Sequence, residues 1–299
     1  YNVYGYYSIP ESFTDSFIQW MKERHGYEIN PLWIRYSPGV VPAIYWIIQM
    51  LTEIEDSVAL MSPVYYPFAN AIRDTSRTLV DVPLVKDENG YYTMDLENFE
   101  ATVQKKDVKL FILCSPHNPV GRVWREEELQ NLLDVCRRNG VYVIADEIHH
   151  DLIMPGQRQI TAATAGDYDS ILITLTSASK TFNLASCQNA MAIIPNDALR
   201  AKYDAMTRRI KTQSGSSFGY VAYEAAFRGG KEWLEQAIRL IYGNYQILVK
   251  GLKQKLPEAV VSPLEGTYLA WVDLSAYLSE RDTERTIRDV CNLAVDFGE

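Results

Sequence analysis

Lys180 lies in the stretch Thr176-Ser177-Ala178-Ser179-Lys180-Thr181-Phe182-Asn183, just past an apolar, β-branched run (residues 170–175) that reads as a buried strand. A lysine amine can form a Schiff base with a carbonyl, and hydroxyls such as those of Ser177 and Ser179 can hold a phosphate. Taken alone, the stretch reads first as a surface lysine in a Ser/Thr loop. Other residues in equivalent positions shift that balance.

Four more groups sit at strand ends. The continuous apolar run Val108–Cys114, expected as a central parallel strand, ends in Ser115-Pro116-His117-Asn118-Pro119-Val120-Gly121, where two prolines and a glycine present Asn118. Residues 141–145 form another buried run and end in Asp146-Glu147-Ile148-His149-His150-Asp151. Residues 57–61 lead into Ser62-Pro63-Val64-Tyr65-Tyr66-Pro67-Phe68, whose aromatics can stack on a flat ligand. Ile34–Ser37 is broken by Pro38-Gly39, and a helix starts at Val40 and runs to about residue 52. The free N–H groups of Val40 and Val41, aligned with the helix dipole, make a ready anion site. Each group also has a plainer reading. A strand-end Asp is often a helix cap, an Asn before Pro is usually turn chemistry, aromatics can simply pack their loop, and many βα turns bind nothing.

The elements that must position these groups alternate. Helices are expected over residues 11–25, 68–75, 95–105, 125–138, 197–210, 218–228 and 232–255, with further strands at 79–82 and 189–194. That order describes an α/β fold, a mainly parallel sheet flanked by helices, which takes ligands at the carboxyl ends of its strands. The division expected is an N-terminal segment (1–10), a large domain (11–230), a connecting helix (231–255) and the start of a smaller, incomplete α+β domain (256–299). That last part would hold a strand at 267–272 and a helix at 282–297.

Bulk properties narrow the function. A net charge of −9 without a dense Lys/Arg block argues against nucleic acid. The apolar run at 40–51 is too short for a bilayer, which takes ~20 residues, so no membrane partner is expected. The four cysteines (Cys114, Cys136, Cys187, Cys291) form no C-x-x-C pair, which fits a reducing, cytoplasmic setting and neither zinc nor disulfides. The tyrosine-rich terminus, residues 1–10, suggests burial against a partner. Two motifs are decoys. Gly215-Ser216-Ser217-Phe218-Gly219 fits a nucleophile elbow but follows a polar, basic stretch instead of a strand. His149-His150 with Asp151 could suggest a metal, but adjacent ligands point apart.

Taken together, Ser115 to Gly121, Asp146-Glu147-Ile148-His149 and Ser177 to Ala185 resemble pyridoxal-phosphate (PLP) enzymes of fold type I, the aspartate-aminotransferase superfamily. Within it the chain is most similar to the MalY/PatB-type C–S β-lyases, over nearly all of its length. The resemblance implies that Lys180 holds PLP and acts as base at the substrate Cα. It also implies that Asp146 pairs with the ring nitrogen, Asn118 bonds the phenolic oxygen and Tyr65 stacks on the ring. The N–H groups of Val40 and Val41 and the hydroxyls of Ser177 and Ser179 would bind the phosphate. Tyr6 would reach the phosphate of a neighbouring subunit, implying a homodimer with shared active sites. His149 stands where many aminotransferases have tyrosine, and Gln188 where they have a phosphate-gripping arginine, both as in the lyase branch. Ser186 replaces a usual glycine. The arginine that clamps the substrate carboxylate would lie beyond Glu299. The activity expected is α,β-elimination from a cystathionine- or cysteine-type L-amino acid, giving thiol, pyruvate and ammonia. An aminotransferase is the alternative, and a PLP-fold sensor joined to a DNA-binding module is a rival of another class.

Overall fold

The computed structural model describes residues 8–212 and 215–277. Amphipathic helices and short apolar strands alternate through most of it. Phe13, Phe17, Trp20 and Met21 form one buried stripe on α1 (Glu11–His25), which Gly26 ends in the left-handed conformation at φ 65°. Next come β1 (Ile34–Ser37), α2 (Val40–Leu51), β2 (Ser57–Leu60), α3 (Pro67–Asp74) and β3 (Thr78–Asp81). The hairpin of β4 (Val85–Lys86) and β5 (Tyr92–Thr93) leads to α4 (Leu96–Lys106), where the Asp95 carboxylate accepts from the Asn98 N–H at 2.9 Å as the helix cap. The middle of the chain contributes β6 (Val108–Cys114), α5 (Glu126–Arg138), β7 (Tyr142–Asp146), β8 (Leu172–Thr176) and α6 (Ala178–Thr181). It continues with β9 (Ala190–Ile193), α7 (Asp197–Ile210), α8 (Ser217–Gly229), the 25-residue α9 (Lys231–Lys255), β10 (Val260–Val261) and β11 (Val272–Asp273).

Seven strands make one sheet in the order β1-β9-β8-β7-β6-β2-β3. The pairs from β3 through β8 are parallel, and β9 runs antiparallel to both its neighbours. Thr176 therefore pairs with Met191 and Ser37 with Ala190, so the start of β9 lies at the same edge as the ends of β8 and β1. This is the expected α/β class. The central strands are mostly apolar on both faces because both faces are covered. On one face Leu110, Ile112, Ile144 and Ile173 pack with Ile44, Ile47 and Ile48 of α2 and Phe68 of α3. On the other, Phe111 and Val143 pack with Phe99 of α4 and Leu129 and Leu132 of α5. A third cluster joins α1, α8 and α9 through Phe17, Trp20, Tyr223, Phe227 and Leu234.

The strand expected at 267–272 is not formed as such. Only Val272–Asp273 is extended and paired, with Val260–Val261, while Thr267 has φ 71°. Gly266 is wedged there: a side chain on it would meet Val123 Cγ2 at 2.8 Å and Pro116 Cβ at 3.0 Å. This packing bends the chain where its β-branched and aromatic composition suggested a strand. The helix expected at 282–297 lies outside the described residues. Among the described residues, no helix is long and apolar enough to cross a membrane.

Candidate active site

At the edge where β1, β2, β6, β7 and β8 end and β9 begins, the loops enclose a cavity of about 320 Å³. Val40 and Val41, Tyr65, Asn118, Asp146 and His149, Ser177, Ser179 and Lys180 all line it, so groups 140 positions apart in sequence converge. Tyr6 lies outside the described residues.

Asp146 is the last residue of β7 and is buried, with one carboxylate oxygen accepting from the Ile148 N–H at 3.0 Å. Burial pushes its pKa up to about 7, against the pull of the Ile148 N–H and the Lys180 charge. A cationic or N–H-bearing partner in the cavity would restore the anion. His149 points into the cavity too. Its ring meets Tyr268 edge-on at 5.5 Å, and its Nε2 has no partner among the described residues. Burial lowers its pKa to about 3, and the Lys180 charge adds to this, so it is neutral. The neighbouring acid, Glu147, turns away and accepts from the Ala162 N–H at 2.7 Å.

Lys180 sits in the four-residue α6, a single helical turn where the sequence suggested a loop. Ser177 caps that turn, its Oγ accepting from the Ser179 N–H at 3.0 Å. The same Oγ lies 2.7 Å from the Asn189 carbonyl and 3.1 Å from the Tyr223 hydroxyl. A hydroxyl has one proton and a carbonyl can only accept, so the Ser177 proton goes to Asn189 and the Tyr223 O–H donates to Ser177. In this arrangement Ser177 holds the lysine turn, and Ser179, whose side chain also reaches Tyr223, lines the cavity beside it. Gln188, in the left-handed conformation at φ 45°, also lines the cavity, and its carbonyl accepts from the Tyr36 hydroxyl at 3.2 Å. Ser186 needs no glycine: it lies in a 3-10 turn, and the left-handed residues around it are Asn183 and Gln188.

Val40 and Val41 head α2, and Pro42 follows with no N–H, so the first turn offers two N–H groups and the helix dipole to the cavity. The Tyr65 N–H donates to the Asn118 carbonyl at 3.1 Å, which ties the β2 loop to the β6 loop. The Tyr65 ring stands edge-on to Phe68 at 5.7 Å.

Two lining tyrosines escaped the sequence reading. Tyr223 lies among the buried residues of α8 and reads as core. Tyr268 fell inside the misread strand, although the Glu265-Gly266 turn before it was a usable signal. The decoy glycines have a packing reason. A side chain on Gly219 would lie 2.6 Å from the Cys187 carbonyl oxygen, and one on Gly215 would lie 2.5 Å from the Tyr36 ring. His149 and His150 point apart as expected, His149 to the cavity and His150 to Asp151, but against expectation the adjacent His150 and Asp151 converge, together with His25.

Fold and site define the class: the chain belongs to the aminotransferase class I and II family, which matches residues 1–297. Within that family it is similar to cystathionine beta-lyase PatB of Bacillus subtilis, at 36% identity over 287 residues, covering 95% of this chain and 74% of the relative. MalY of Escherichia coli is 32% identical over 276 residues, covering 92% and 70%. Among solved structures, cystalysin from Treponema denticola, which contains pyridoxal 5'-phosphate, aligns with a TM-score of 0.94 at 33% identity, covering 98% of this chain and 74% of that one. The PLP-bound C-S lyase from Staphylococcus hominis aligns with a TM-score of 0.89 at 32% identity, covering 96% and 73%.

Proposed function

We propose that this chain is a PLP-dependent C–S β-lyase that eliminates a thiol from a cystathionine- or cysteine-type L-amino acid and releases pyruvate and ammonia. The observation that carries the reading is the convergence of Lys180, Asp146 and Asn118 with the head of α2 on one cavity. The residues fit the cofactor on physical grounds. A buried carboxylate with no ion-pair partner among the described residues lines the same cavity as a helix N-terminus that favours an anion, in a space of the size that holds a small ligand. When bound, PLP supplies an electron sink conjugated with the substrate Cα.

Each residue then has a task. Lys180 carries the cofactor and moves the Cα proton. Asp146 keeps a negative charge against the ring nitrogen and thereby holds that nitrogen protonated. Asn118 orients the ring through its phenolic oxygen, Tyr65 covers one face, and His149 offers a neutral buried edge beside them. The N–H groups of Val40 and Val41 and the Ser179 hydroxyl bind the phosphate, while Ser177 sets the turn that presents them. Gln188, neutral where aminotransferases carry arginine, favours the lyase reading over transamination, as do the names of the Bacillus subtilis and Staphylococcus hominis relatives. Free Cys114, Cys136 and Cys187 support a cytoplasmic setting. The tyrosine-rich first residues support a homodimer in which Tyr6 reaches the neighbouring subunit's phosphate.

Product analysis with L-cystathionine tests the reading. Pyruvate should accumulate over many turnovers without any added 2-oxo acid. If turnover stops after one event and resumes only when a 2-oxo acid is supplied, the enzyme is an aminotransferase.

A further inference from the structure

We propose that Asp151 is a positioning residue for Lys180, acting through Thr181; the proposal rests on the reading of Lys180 given above. Asp151 is fully buried outside the cavity, five residues past Asp146. Five side chains surround its carboxylate. Trp20 Nε1 donates at 3.1 and 3.2 Å, Arg24 Nε lies at 3.0 Å, His25 Nε2 at 2.8 Å and His150 Nε2 at 3.2 Å. The fifth is Thr181 Oγ1, which donates to Oδ2 at 2.8 Å. Burial alone would raise the Asp151 pKa, but His150 and His25 hold it well below the usual carboxylate range, so the group is a permanent anion. Arg24 also pairs with Glu235 of α9 at 2.8 Å and donates to the Asp151 carbonyl at 3.3 Å. The anchor is thus fixed to α1 and α9, not only to its own turn. A metal ion does not suit the cluster, because a guanidinium and an indole N–H already occupy the carboxylate.

The target of this anchor is α6. Four residues cannot maintain a helix by themselves. On the N-terminal side of Lys180 the turn is held by Ser177 through Asn189 and Tyr223. On the C-terminal side, the side-chain tether is Thr181 to Asp151. Among the described residues, Lys180 itself makes no hydrogen bond that would fix its amine. The two tethers therefore set where the amine stands relative to Asp146, and a displacement of about 1 Å at a reacting group can cost 100-fold in rate.

Thr181→Val, which removes the hydroxyl at constant shape, and Thr181→Ser, which keeps it, decide the matter in the full-length enzyme loaded with PLP. Thr181→Val should lower kcat on an S-substituted cysteine roughly tenfold or more with KM within about twofold, the cost of one hydrogen bond to a charged group that acts on chemistry and not on binding. It should slow covalent uptake of PLP by the cofactor-free protein to a similar degree, and Thr181→Ser should restore both. Thr181→Ala carries the same expectation if the valine variant precipitates. A lower Tm with unchanged kcat and uptake overturns the proposal, as does a serine variant as impaired as the valine one. Uptake on Lys180, mapped after borohydride reduction, is read separately from pyruvate. A wild type that takes PLP on Lys180 but makes no pyruvate overturns the lyase reading, while the uptake comparison still decides this one.

Discussion

Asp146 gives the site a pH signature of its own. An ordinary aspartate titrates near 3.9, whereas burial pushes this one up to about 7. The folded chain therefore holds the proton more tightly than the unfolded chain does. The stability this contributes is complete below pH ~4 and is lost as the pH rises through about 7. In the cofactor-free protein, Asp146→Asn should consequently melt above wild type at pH 8, by up to a few kcal/mol, with the gap closing towards pH 4. Glu147 titrates in the same direction and window, and the Asp146 charge helps to raise it, so Asp146→Asn also eases Glu147 and adds to the gain at pH 8. Adding PLP should stabilise wild type more than the variant, because the ionised carboxylate then has its partner. Thermal melts at several pH values with and without PLP check this, and an identical pH dependence of the two proteins would refute it. Asp146, Asn118 and Lys180 were legible in the sequence because their motifs together resemble those of fold type I PLP enzymes, although each alone had a plainer reading. Tyr223 and Tyr268 were not, because their neighbours carry ordinary core and strand patterns.

Among the elements, α8 packs against the lysine turn and the segment that follows it. Gly219 lets that helix pass the Cys187 carbonyl, where an added methyl group would stand 2.6 Å from a backbone oxygen. Gly219→Ala should destabilise the fold by about 1–3 kcal/mol, since a packed backbone cannot yield cheaply. It should also weaken PLP binding by moving Gln188. Gly243 lies in the middle of α9, and a methyl group added there would meet no atom within 4 Å, so Gly243→Ala should stabilise by about 0.5–1 kcal/mol. Denaturant melts of the pair test whether contact or helix propensity decides, and equal effects at both positions would contradict the packing argument. Periodicity revealed α1, α2, β6 and α5 to within a residue or two because their apolar residues recur at helix or strand spacing. It failed at 267–272, where the bend depends on Pro116 and Val123, residues remote in sequence that no local pattern can report.

For the molecule as a whole, the proposed sharing of active sites between subunits can be tested. If Tyr6 serves the neighbouring subunit's phosphate, a Lys180→Ala subunit and a Tyr6→Ala subunit, each weak alone, should regain activity when co-refolded. Random pairing yields about a quarter of the wild-type activity, because half the dimers carry one intact site of two. No recovery on mixing would place Tyr6 outside the neighbouring site. The class of the sheet was legible from the alternation of its elements, but the position of β9 was not, since pairing order is set by long-range contacts. That position has a consequence for how the chain assembles. β9 is made after β1 and β8 yet lies between them. As the polypeptide emerges, β1 has no neighbour in the sheet until residues 190–193 arrive and insert. Asn118, Asp146 and Lys180 are synthesised before that closure, but the turn holding the lysine is fastened to Asn189 at the start of β9. Long-range closure of this kind is slow to form, and a ligand that binds only the finished site stabilises it by mass action. Uptake of PLP is therefore a late event in biosynthesis, and the yellow colour of the bound cofactor should report completed chains and not partly folded ones.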